Sequence, residues 1–249
     1  MSTPPEIIYT FSHTRSDPRA GKPTEPTRQD IEWLFTVLYD TYGPRNWWPT
    51  VHGGAFELVI GAILVQNISW SNVERALINL READVWSFDA VLDTSDEEMH
   101  VLIRPSGYYI TKTRKLKEFA RFIVENHGGD LGGLFALPME EMREQLLLVW
   151  GIGEETADDI ILYGAKKPSF VIDAYTKRLI GRLGWEIEGK SYSAYQQLFH
   201  DLLPHDVQLF NEYHALIDYH AARICKKKPS CDKCAFANQC PVGLGVTQP

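Results

Sequence analysis

Four cysteines, Cys225, Cys231, Cys234 and Cys240, fall within sixteen residues as C-x5-C-x2-C-x5-C, and the 249-residue chain has no others. Thiolates this close on one loop suit a metal centre, either an iron–sulfur cluster or a structural zinc. Two disulfides would need a geometry that so short a loop rarely supplies. Zinc ribbons show two separate C-x2-C pairs, whereas here one close pair, Cys231 and Cys234, is flanked by single cysteines at longer distances. Thiols kept for metal, in a sequence with no recognisable secretory leader, lead us to expect a reducing, intracellular compartment.

A second chemical pattern is Val149-Trp150-Gly151-Ile152-Gly153-Glu154-Glu155-Thr156, set between two helix-like runs. Two glycines bracketing one aliphatic residue allow a tight bend, and the helix that follows presents its first backbone N–H groups there. Such a corner binds anions through oriented donors and the helix dipole, without needing a lysine. The same residues also suit a plain helix–helix corner. Further on, Asp173 precedes the helix-like run from Ala174. Asp is a favoured N-cap for such a run.

The elements that must position these residues are helical. Ile31, Leu34, Phe35, Leu38 and Tyr42 recur at three- and four-residue steps until Gly43-Pro44 stops the run. Similar runs cover about 54–67, 71–82, 96–103, 112–126, 139–148, 155–165, 174–183, 191–202 and 207–223. Ser169 to Ile172 is the best short strand candidate. The expected fold class is all-α. Residues 1–27 hold five prolines among polar residues and are expected to form a loose arm.

The composition, 44 % hydrophobic and 23 % charged, is that of a protein with a well-packed core. No stretch approaches the twenty apolar residues of a membrane span, so a membrane role is not expected. A net charge of −8 argues against binding nucleic acid through bulk positive charge. Local basic runs at Lys112–Arg121 and Arg223–Lys228 leave a local DNA-binding face open.

Taken together, the glycine hairpin, the Val171-Ile172-Asp173 stretch followed by Arg178, and the terminal cysteine loop resemble the endonuclease III-like, helix-hairpin-helix DNA glycosylase superfamily over roughly residues 30–240. The resemblance implies two lobes: a six-helix barrel at about 50–160, and a cluster domain built from 28–49 and 161–249. It implies double-stranded DNA containing a damaged base as partner, a flipped target nucleotide, a monomer, and a [4Fe–4S] cluster on the four cysteines. The family loop usually reads C-x6-C-x2-C-x5-C, one residue longer in its first gap.

Bifunctional members carry a nucleophilic lysine where this chain has Glu155, which implies a monofunctional enzyme that hydrolyses the base–sugar bond with Asp173 as catalytic carboxylate. Trp47-Trp48-Pro49 and Trp70 resemble the 3-methyladenine glycosylase branch, where such rings line a stacking pocket for an alkylated purine, with Glu155 alongside. Gly151, Ile152, Gly153 and Thr156 would meet the DNA backbone, and Gln66 matches the residue that fills the gap left by the flipped base. That branch often carries His-Gly-Lys before the first cysteine, and here the stretch reads His220-Ala221-Ala222. His214 and His220 could be read as a metal pair or as part of a helix packed beside the pocket. The alternatives are a glycosylase and abasic-site lyase for oxidised pyrimidines, and a non-catalytic damage-binding protein.

Overall fold

The computed structural model describes Phe11 and residues 25–246. The chain is all-α: no strand forms among the described residues. It divides into two compact units, one running up to Trp47 and resuming at Pro168, the other spanning Trp48–Lys167. The break falls between the two tryptophans of the Trp47-Trp48 pair. The arm expected at 1–27 lies almost wholly outside the described residues.

In the first unit, α1 (Arg28–Tyr42) starts at a capping box in which Thr27 and Asp30 satisfy each other's backbone donors, and it stops at Gly43. Its Ile31, Leu34, Phe35 and Leu38 are buried, as the three- and four-residue spacing requires. They face α11 (Tyr192–Leu202) and α12 (Val207–Arg223). Tyr213 seals the contact by donating its hydroxyl to the Ile31 carbonyl at 2.8 Å. The fourth helix of this unit, α10 (Ala174–Arg182), packs along α12.

Ser169–Ile172 runs extended and buried but pairs with no strand. Side chains serve its backbone instead: Phe170 N–H donates to His200 Nε2 at 3.0 Å, and Ile172 N–H donates to the Tyr192 hydroxyl at 3.3 Å. Gln196 donates to the Phe170 carbonyl at 2.8 Å. A β-rich sequence here is satisfied by two helices, so the strand expectation fails for lack of a partner.

The second unit is built round α2 (Ala55–Leu64), buried on every side from Leu58 to Leu64. Around it lie α3 (Trp70–Glu82), α4 (Phe88–Asp93), α5 (Asp96–Leu102), α6 (Tyr109–His127), α7 (Leu131–Ala136), α8 (Met139–Leu148) and α9 (Glu154–Asp159). Each of the longer ones turns an apolar stripe inward, for example Val73, Ala76, Leu77 and Leu80 of α3, and Leu116, Phe119, Ala120 and Ile123 of α6. Burying each large apolar side chain stabilises by about 1.5–3 kcal/mol. After Asp159 the helix widens into a π-helical turn, Ile160–Gly164.

Candidate functional site

The hairpin joins α8 to α9 within the second unit. Gly151 sits at φ +89°, a conformation that L side chains rarely adopt, and a Cβ there would come within 2.5 Å of the Lys115 side chain. Glycine is therefore required twice over, by backbone angle and by the close pass of α6. Ile152 is buried under the bend. Gly153 is the N-cap of α9, and its side-chain-free position carries no side-chain cap. Both arms are braced by Arg143 of α8, which donates to both oxygens of Asp158 of α9, at 3.0 and 3.1 Å. Asp158 is fully buried, so this bidentate pair fixes the angle of the corner.

Gln66, half-buried, is hydrogen-bonded to the hairpin. Its amide nitrogen donates to the Thr156 hydroxyl at 2.9 Å and to the Gly151 carbonyl at 3.4 Å, and its carbonyl accepts from the Lys115 ammonium. In this structure Gln66 and the buried Thr156 tie α2 to the hairpin. Lys112, counted in the sequence with a basic surface run, is buried: it donates to the carbonyls of Leu64 at 2.8 Å and Ser106 at 2.6 Å. Burial pushes it down to about 8. Its work is to cap the end of α2.

Trp48 and Trp70 meet edge to face, with ring centroids 5.1 Å apart, and Trp48 also lies 5.0 Å from the Tyr163 ring. Gly61 lets them sit against α2, since a Cβ there would be 3.2 Å from Trp70. The Trp70 indole N–H donates to Glu74 at 3.0 Å. Both rings are half-buried and pack against the core. Pro49 is half-buried in the coil beside Trp48, and Glu155 is exposed in the first turn of α9. Trp47, also half-buried, belongs to the other unit.

Two buried carboxylates that sequence reasoning missed hold the backbone around these residues. Glu57 of α2 accepts from the N–H groups of Val51, His52 and Gly53, the last two at 2.7 Å. In the first unit, Glu212 of α12 accepts from the N–H groups of Arg45 and Asn46, and burial pushes its carboxyl upward. Acids on helices read as solvent-facing, and only their placement within otherwise apolar runs hinted at this.

In the first unit Asp173 is the N-cap of α10. One oxygen accepts from Thr176 N–H at 2.6 Å, and the other lies 3.9 Å from Nε2 of His214. Burial holds His214 below the usual histidine value, against the pull of Asp173. Asp218, one turn along α12, is pushed up to about 7 by burial and by the nearby Asp173. His214 and His220 do not form a metal pair: His220 sits instead at 2.7 Å from the Tyr42 hydroxyl.

Asp218 gives a pH prediction. Its folded value of about 7 lies above the ordinary carboxylate value of about 4, so between these the native state binds a proton that the unfolded chain has lost. Its contribution to stability is therefore present at low pH and is lost as pH rises through 7. Asp218→Asn should raise Tm by about 2–4 °C at pH 8, the worth of roughly 1 kcal/mol in a chain this size, with the gain vanishing near pH 4. A Tm difference that does not vary with pH would contradict the assignment.

All four cysteines line one small pocket of about 20 Å³, together with Leu179, Ile224, Phe236 and Val242. Among the described residues no three potential ligands converge on a point, as a single ion with bonds of about 2.3 Å would need. Arg182 donates to Cys225 Sγ at 3.2 Å and to the carbonyls of Cys225, Lys226 and Lys227 at 3.0, 2.6 and 2.8 Å, fixing the first leg of the loop. Burial pushes the Cys234 thiol up to about 11.

Residues 60–205 match the HhH-GPD superfamily of base excision DNA repair proteins. The chain belongs to this superfamily. Within it, a Methanocaldococcus jannaschii protein named as a DNA repair glycosylase is 41 % identical over 217 residues, 83 % of this chain and 94 % of the relative. Endonuclease III of Thermotoga maritima is 29 % identical over 198 residues, 79 % and 86 % of the two chains. Among solved superfamily structures, an endonuclease III–DNA covalent intermediate superposes with a TM-score of 0.76 at 20 % identity, covering 88 % of this chain and 98 % of that one. The H. pylori 3-methyladenine DNA glycosylase bound to 1,N6-ethenoadenine superposes at 0.66 with 25 % identity, over 78 % and 95 %. The chain is thus a DNA repair glycosylase of this superfamily.

Proposed function

We propose that this glycosylase hydrolyses the N-glycosidic bond of an N-alkylated purine, of the 3-methyladenine kind, in double-stranded DNA and leaves the strand intact. The observation that carries the reading is Asp173: one oxygen is locked by Thr176 N–H, and the other stands 3.9 Å from Nε2 of His214. Loss of the base leaves a cationic sugar. A fixed carboxylate stabilises that cation and orients or deprotonates the water that attacks it.

Glu155 supports the monofunctional part. A carboxylate forms no imine, so this hairpin position offers no covalent route through the sugar. For the lesion, the support is the pair of half-buried rings, Trp48 and Trp70. An electron-rich ring face draws a positively charged alkylpurine, whose bond to the sugar is already weakened. Trp47, Pro49 and Glu155 complete the proposed lining, and Gly151, Ile152, Gly153 and Thr156 the proposed backbone contact, with Gln66 holding the hairpin.

Cys225, Cys231, Cys234 and Cys240 are proposed to hold a [4Fe–4S] cluster, supported by their spacing on one loop, by the pocket they share and by the Arg182 donor at Cys225. When bound, such a cluster supplies a cross-link for the loop and a redox centre. The tryptophan pair, Asp173 and the hairpin act without it in the hydrolysis.

Incubating the protein with duplex DNA carrying a panel of lesions tests the reading. Free methylated purine, with no strand nick and no borohydride-trapped adduct, is expected. A nicked strand or a trapped adduct would show lyase chemistry, and release of an oxidised pyrimidine would replace the substrate assignment.

A further inference from the structure

The hairpin carries an exposed tryptophan immediately before its first glycine. Trp150 keeps 43 % of its surface in solvent, and the Arg114 guanidinium lies over its ring at 3.8 Å from the centroid. The next residue along α6, Lys115, runs its stem against Gly151 and gives its ammonium to Gln66. Consecutive residues of α6 therefore lie alongside consecutive residues of the bend, 114 on 150 and 115 on 151.

The neighbouring cations are committed elsewhere. Lys112 is buried on two carbonyls, Lys117 pairs with Asp96 at 2.5 Å, and Arg121 pairs with Glu118 at 3.0 Å. Arg114 is exposed, and its contact among the described residues is an aromatic face. A guanidinium over a ring face still carries N–H donors at its edge. Those donors match the fork of two phosphate oxygens. An acidic chain of net charge −8 must draw its affinity for DNA from such local groups.

We propose that Arg114, held in place by Trp150, is a phosphate-contacting residue that extends the backbone-binding corner at Gly151–Gly153 on duplex DNA. The inference rests on the reading that this hairpin meets DNA, and it concerns binding of any duplex, damaged or not. Trp150 acts through Arg114 and is a positioning residue.

Equilibrium binding to undamaged and damaged duplexes across a salt series tests this. Arg114→Ala should weaken both duplexes equally and reduce the slope of log K against log salt by about 0.9, the share of one phosphate contact. Trp150→Ala should weaken binding while leaving the slope in place, because the charge remains and only its orientation is lost. Arg114→Lys should restore the slope but not the full affinity. An unchanged slope in a folded Arg114→Ala protein would overturn the proposal, as would weakening confined to damaged duplex. A protein that shows the Arg114-dependent slope yet releases no base would keep this inference and sink the proposed activity.

Discussion

Asp173→Asn should lower base release by about 10²–10⁴-fold while binding to damaged DNA and Tm stay close to those of the unsubstituted protein. The two roles of this side chain separate cleanly in that variant. Asparagine is as good an N-cap as aspartate, so its oxygen still accepts from Thr176 N–H at the start of α10. What it lacks is the charge for the cationic sugar. Asp173→Ala is the contrasting case: it should lose activity and also about 1 kcal/mol of stability, because the cap goes with the carboxylate. Single-turnover release of methylated purine, measured beside thermal melts, distinguishes them. Undiminished release by the Asn variant would remove Asp173 from the chemistry and leave it a cap.

Replacing Cys234 by Ser should produce the largest loss of stability. The purified protein is expected to be yellow-brown from thiolate-to-iron charge transfer, and the variant to be colourless and to melt at least about 10 °C lower. Cys234 lines one pocket with Phe236 and Val242, and burial pushes its thiol up to about 11. A metal that drew a thiolate from this place would offset that cost, and its binding would then be coupled to the folding of residues 225–246. Phe236 carries the effect further, since its ring meets Trp33 of α1 edge to face at 5.7 Å. Visible absorbance, metal analysis and thermal melts provide the check. Colourless protein with stoichiometric zinc, or a variant with full absorbance, would overturn the cluster assignment.

Much of the helical frame was legible because it rests on local spacing. The runs read at 139–148 and 207–223 coincide with α8 and α12, and Gly43 ends α1 where the sequence says it must. The six-residue helices α4 and α7 were missed, since less than two turns cannot show a period, and α7 contains the unhelical pair Gly132-Gly133. The chemistry was legible by residue type but not by partner. Asp173 and the glycines of the hairpin could be named from the sequence. Nothing local announced that Gln66 would bond to Thr156, that Lys112 would be buried on α2, or that Asp218 would stand near Asp173. These are long-range placements, set by how helices pack and not by how residues follow one another.

Glu57 and Glu212 have a consequence for how this protein can change over generations. Around the tryptophan pair the chain has neither helix nor strand to define its course, and carboxylates on α2 and α12 take over five backbone N–H groups instead. The path of the main chain thereby rests on two helix-borne acids, while the rings it displays are decided at Trp47 and Trp48. A shelf and its furnishings can then be altered separately. On the proposed function, exchange of one aromatic for another would retune which damaged base is accepted, and the scaffold beneath would not need to be rebuilt to allow it.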